Sequence, residues 1–130
     1  MTEKELIEKA KRARLKAYAP YSGFKVGAAL LTKSGKVYTG ANVENSTFGL
    51  TVCAERVAVF KAVSRGEKNL LRIVAVADKD PPITPCGACR QVLSEFAKDL
   101  KIVCANLDGK VERYSLKELL PEAFEKGSTV

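Results

Sequence analysis

The chain contains no histidine. A compact, soft transition-metal site must therefore take most of its ligands from cysteine thiolates. Cysteines number only four, and charge begins at the third residue, so no secretory signal is expected. In that setting the cysteines point to reduced thiols or a metal, not a disulfide framework, and to the cytoplasm. No run of ~18 apolar residues occurs, so no membrane span is expected. Repeats, linkers and low-complexity segments are absent. The net charge of +7 raises nucleic acid as a partner. Yet six of the 22 basic residues fall in Lys4–Lys16, interleaved with Glu3, Glu5 and Glu8, and the others are scattered without an arginine–aromatic cluster. A solvated surface is the simpler reading, and no nucleic-acid partner is expected.

What is present fits one globular domain over residues 1–130. Thr2 with Glu5 forms a capping box, and Leu6, Ile7, Ala10, Ala13 and Ala17 recur at helical spacing, so a helix is predicted over Glu3–Ala17. Val26–Thr32 and Lys36–Asn42 read as antiparallel strands about a turn at Ser34-Gly35. Asn42 to Val52 reads as a polar loop. Cys53–Arg65 reads as a helix whose face is Ala54, Val57, Ala58, Lys61 and Ala62, with Gly66 ending it. Leu70–Ala77 is a buried central strand, followed by a proline-rich connection over Asp78–Pro85. A helix over Gly87–Lys98, strands over Lys101–Asn106 and Val111–Tyr114, and a short helix opened by the Ser115–Glu118 capping box complete the order, before a polar tail over Glu122–Val130. The pattern is an α/β fold, three-layered α/β/α with a mixed central sheet of about five strands.

Three of the four cysteines lie in two patches, Cys53-Ala54-Glu55 and Pro85-Cys86-Gly87-Ala88-Cys89. Two cysteines three apart are a common grip on Zn²⁺, which takes sulfur at ~2.3 Å in a tetrahedron. Cys53 as third ligand leaves one position open. An open position beside the Glu55 carboxylate points to activated water and a proton shuttle, hence a hydrolytic zinc site with one ion per chain. Both patches fall at helix N-termini, whose dipoles favour the thiolate form. Zinc with three thiolates is net negative and a weaker Lewis acid. Arg56 is expected to hydrogen-bond the sulfurs and draw off charge. Cys104, inside an apolar strand, reads as core.

The two patches, extended through Arg90 and Gln91, resemble the zinc signature of the cytidine deaminase family. Ala19–Ala29 and Asn42–Asn45 agree with its small nucleoside deaminases, and the resemblance runs from about Tyr18 to Phe124. It implies hydrolytic deamination of cytidine and 2′-deoxycytidine to uridine and 2′-deoxyuridine with release of ammonia, in pyrimidine salvage. Glu55 would move the protons. Asn42 and Glu44, with Asn45 beside them, would hold the ribose, chiefly its 3′-hydroxyl. Phe24, which the residues alone would assign to the core, would lie against the nucleoside. The Ala54 N–H would bond the pyrimidine O2, and the Thr84 carbonyl would accept from the 4-amino group. Gln91 would stand behind the ligand residues. Phe124 resembles an aromatic that covers the base in a neighbouring subunit, implying a homotetramer with shared sites. At Phe48 many relatives carry tyrosine, so a hydroxyl contact there is missing.

Three rival readings remain at this level. A structural zinc module would need a fourth protein ligand, with Cys104 the remaining cysteine. A nucleic-acid deaminase would have to admit flanking nucleotides, and a 3′-phosphate would meet the Glu44 carboxylate. A deaminase of a cytosine-bearing antibiotic such as blasticidin S would share the zinc patches but differ at Pro20–Gly27 and Asn42–Asn45.

Overall fold

The computed structural model describes residues 1–126. The tail expected over Glu122–Val130 runs past them, and its last four residues lie outside the described part. Four helices and five strands follow in the expected order: α1 (Glu3–Arg14), β1 (Val26–Thr32), β2 (Val37–Ala41), α2 (Ala54–Ser64), β3 (Leu70–Ala77), α3 (Gly87–Phe96), β4 (Lys101–Ala105), β5 (Val111–Ser115) and α4 (Leu116–Leu119). The strands form one sheet in the order β2-β1-β3-β4-β5. Only β3 and β4 run parallel, and every other neighbouring pair is antiparallel.

The alternation of side chains along the inner strands assigns each face its partner. Ala29, Leu31, Val74, Val76, Val103 and Ala105 point to one side and bury Leu6 and Ala10 of α1. Ala28, Leu30, Ile73, Ile102 and Cys104 point to the other, onto Ala54, Ala58, Val59 and Ala62 of α2, Leu93 of α3 and Leu116 of α4. β1 is buried along its whole length because both faces are covered. The packed face of α2 thus differs from the expected one: Val59 replaces Val57 and Lys61, which turn toward the sheet edge. Cys104 is fully buried in this core, as its apolar neighbours predict.

Element ends moved for local reasons. Both capping boxes form. α1 stops at Arg14, three residues short of Ala17, because its last turn tightens: Lys16 N–H bonds the Ala13 carbonyl and Ala17 N–H the Arg14 carbonyl. Gly66, at φ +87°, takes the left-handed position beyond α2. The stretch after β2, expected to be a plain loop, contains a short 3-10 turn at Phe48–Leu50.

The free edge of β2 is guarded by charge. Lys61 reaches over from α2 and donates to the Thr39 carbonyl at 2.7 Å. Lys9 and Arg12 from α1, and Lys16 just beyond its end, join it around a groove of about 420 Å³. The basic residues are therefore less scattered than they look along the chain. Among the described residues no helix is long and apolar enough to cross a membrane.

Candidate active site

Two helix starts bring three sulfurs together. Cys53 is the N-cap of α2 and Cys86 the N-cap of α3, while Cys89 lies in the first turn of α3. Their Sγ atoms all lie within 4.8 Å of one another, with Cys53–Cys86 at 3.7 Å and Cys86–Cys89 at 3.3 Å. Thiolates at ~2.3 Å around a tetrahedral ion would stand ~3.8 Å apart. A disulfide needs ~2.05 Å, and all four cysteines are free. The donor set therefore fits zinc. Cys104 is not in the cluster, which leaves a closed four-cysteine site without its fourth ligand.

Electrostatics favour the thiolate at Cys53, while the hydrogen bond to Cys53 and burial push the Cys89 thiol up. The Cys89 hydrogen bond, with the Arg56 guanidinium and Cys86, holds Cys53 well below the ordinary thiol range. Arg56 Nη2 lies 3.5 Å from Cys53 Sγ and 3.4 Å from the Thr51 carbonyl. Its Nε is buried among the described atoms without a partner. The contact expected between Arg56 and the sulfurs is thus present at Cys53, through Nη2 and not through Nε. Glu55, one residue before it, is 3% exposed. Burial pushes its carboxyl up to about 7, with the Cys53 charge adding to the rise and the Arg56 charge opposing it.

The helix that carries Cys53 and Glu55 is seated by a glycine. A Cβ on Gly40 of β2 would lie 2.5 Å from the Ala54 carbonyl and 2.6 Å from the Ala58 N. Neither backbone atom can swing aside. Gly40→Ala should therefore push out the first turn of α2 and lower activity along with stability. Gly27 meets α1 still more closely, with a Cβ 2.0 Å from the Ala10 carbonyl. Gly27→Ala should cost about 1–3 kcal/mol of stability while leaving α2 in place. Melting curves and turnover of both variants check this, and equal activity losses at matched stability would contradict it.

A second group of residues surrounds a groove of about 330 Å³ lined by Tyr21, Ser22, Glu44, Phe48 and Thr51. The Glu44 carboxylate accepts from the Tyr21 N–H at 2.9 Å, the Ser22 N–H at 3.1 Å and the Ser22 hydroxyl. The Ser22 hydroxyl, foremost, holds Glu44 below the usual carboxylate range. Asn42 is buried, and its amide bridges the Val26 N–H and the Phe24 carbonyl at 2.9 Å each. Asn45 turns back on its own loop, accepting from the Thr47 N–H. Phe24 stands at the mouth of β1, partly exposed. Phe48 is exposed and meets the Tyr21 ring edge-on at 5.9 Å. This group joins the cysteine cluster through a bridge that sequence reasoning missed. Val43 and Val52 exchange backbone hydrogen bonds at 2.9 and 3.0 Å, so Asn42–Glu44 runs antiparallel beside Thr51–Cys53.

Arg90, which follows Cys89 directly in the motif, ties two elements together. Its guanidinium donates to the Pro85 carbonyl at 2.7 Å, the Leu119 carbonyl at 2.8 Å and the Thr84 hydroxyl at 3.0 Å. It locks the loop bearing Thr84 and Cys86 to the end of α4. The only hint in sequence was a cation directly after a ligand cysteine. Gln91 does not touch the sulfurs. Its amide meets the backbone of Phe124.

A model of the cytidine and deoxycytidylate deaminase zinc-binding region matches residues 1–106. The chain is 51% identical over 125 residues to the cytidine deaminase of Halalkalibacterium halodurans, covering 95% of each. It is 48% identical over 127 residues to that of Sporosarcina psychrophila, covering 97% of this chain and 93% of the relative. Its fold is similar to the crystal structure of cytidine deaminase from Burkholderia pseudomallei, with a TM-score of 0.93 at 53% identity, over 95% of this chain and 100% of the other.

Proposed function

The chain belongs to the cytidine and deoxycytidylate deaminase family, and from that premise we propose that it is a zinc-dependent hydrolase converting cytidine and 2′-deoxycytidine to uridine and 2′-deoxyuridine with release of ammonia. The observation that carries this reading is the convergence of three cysteine sulfurs beside a buried carboxyl. Cys53, Cys86 and Cys89 would hold the zinc. When bound, zinc supplies Lewis-acid activation of water. Glu55 takes a proton from the attacking water and hands it to N3 of the pyrimidine, then takes the proton of the new C4 hydroxyl and delivers it to the departing 4-amino group. One carboxylate serves both transfers because addition and elimination occur at the same ring carbon. Water is consumed and ammonia released, so the atoms balance.

The remaining residues orient the nucleoside. The Ala54 N–H, at the first residue of α2, is left free by helix geometry and bonds O2. The Thr84 carbonyl accepts from the 4-amino group, on a loop steadied by Arg90. Glu44 has about four acceptor positions and uses three on the Tyr21–Ser22 turn. The fourth takes the 3′-hydroxyl. Asn42 fixes Phe24 and the start of β1 with one bond from each amide atom, and its second Nδ2 hydrogen and second Oδ1 lone pair serve the ribose, with Asn45 beside it. A 3′-phosphate would be repelled by the ionised Glu44, so free nucleosides and not nucleic acids are the substrates. The protein works as a homotetramer with shared sites. Supporting this, Phe48, Leu50, Phe60 and Phe124 all stand exposed, an apolar load that burial between copies would relieve. We place it in the cytoplasm, in pyrimidine salvage, where its thiols stay reduced.

The test is loss of the cytidine absorbance band on incubation with purified protein, with zinc measured in the same sample. Zinc without turnover of either nucleoside would overturn the substrate assignment. Arg56→Gln should lower zinc affinity or turnover by about 10–100-fold. Unchanged activity and unchanged zinc would remove Arg56 from the site.

A further inference from the structure

We propose that Gln91 is a positioning residue that sets where Phe124 stands and acts on the reaction only through that ring; the proposal rests on the deaminase reading above. The Gln91 side chain engages both backbone groups of Phe124. Its Nε2 donates to the Phe124 carbonyl at 2.9 Å, and its Oε1 accepts from the Phe124 N–H at 3.2 Å. One planar group holding both sides of one residue fixes its orientation as well as its position. Immediately beyond, Glu125 pairs with Lys98. The segment is thus tied along α3 and just past its end. The ring is left largely open among the described residues: Phe124 is 67% exposed. A large apolar side chain with a clamped backbone and a free face is presented, not packed.

The clamp determines what the ring moves with. Gln91 lies two residues after Cys89, on the helix that Cys86 caps. Two zinc ligands and the anchor of the aromatic therefore sit on one rigid element. Where sites are shared between copies, the ring covering the base in one site is registered to the zinc of another. Only glutamine meets this geometry among its near neighbours. Ionised glutamate can accept from the N–H but cannot donate to the carbonyl, leucine does neither, and asparagine is one methylene short.

The test uses zinc-loaded protein and four forms: wild type, Gln91→Leu, Phe124→Ala and the double variant. Each single change should raise KM for cytidine about tenfold, with kcat and zinc content little altered. The double variant should be no worse than Phe124→Ala alone. Amide exchange at Phe124 should be at least about tenfold faster in Gln91→Leu than in wild type. Effects that multiply in the double variant, a KM unmoved by either change, or unchanged exchange at Phe124 would overturn the proposal while leaving the deaminase reading intact. Absence of cytidine turnover in the zinc-loaded wild type would overturn that reading and the proposal with it.

Discussion

Glu55→Gln is expected to keep its zinc and to lose turnover by about 10²–10⁴-fold, the range in which a positioned proton donor and acceptor contributes. The substitution preserves shape, so the seat of α2 against Gly40 is not disturbed. It removes a buried carboxyl whose desolvation places it at about 7, where it can both take and give a proton. The amide can do neither. Zinc content and the rate of cytidine loss, measured on the same preparation, separate a chemical defect from a metal defect. Substantial turnover in a zinc-replete Glu55→Gln protein would take the proton shuttle away from this residue.

Cys89→Ser should abolish activity and empty the site. Cys89 is the fully buried member of the cluster, facing Cys86 across 3.3 Å. A serine oxygen is harder, shorter and reluctant to ionise, so it cannot replace the thiolate. Losing zinc also loosens the fold, because a ligand present at 1,000 times its Kd stabilises by about 4 kcal/mol. The melting temperature should fall, and stripping wild type with a chelator should reproduce the fall until zinc is returned. Cys104→Ser is the control. It too removes a buried cysteine, and burial pushes that thiol up to about 12. It should cost about 1–3 kcal/mol for an unsatisfied hydroxyl yet leave zinc untouched. Zinc loss in Cys104→Ser, or zinc retained in Cys89→Ser, would show that the ligand set has been misassigned.

The strands of the sheet and the cysteines of the cluster were legible because their signals are local. Val26–Thr32 and Leu70–Ala77 are unbroken apolar runs, and their ends matched the structure to the residue. The two cysteine patches announce themselves by spacing. What could not be read depends on neighbours distant in the chain. Val57 and Lys61 fit an apolar helix face by period, but the sheet below α2 ends at β2, so they overhang its edge. The Val43–Val52 bridge pairs two residues inside what reads as a polar loop, and nothing in its composition marks it. Arg90 and Gln91 follow the ligand cysteines in the motif, yet their partners, Leu119 and Phe124, lie about thirty residues on. Gly40 looks like a dispensable weak point in a strand until the carbonyl of Ala54 is placed beside it.

A sheet with open ends invites growth. Any strand offered by another chain can add to an unpaired edge, and stacks of such additions are how fibrils begin. In this molecule the carbonyl of Thr39 is already occupied by Lys61, and Lys9, Arg12 and Lys16 crowd the same margin. Two copies brought edge to edge along β2 would set ammonium against ammonium. Concentrated solutions should consequently resist amyloid-like ordering at neutral pH, and a charge-removing modification of Lys61, such as acetylation, would open the template that the fold keeps closed.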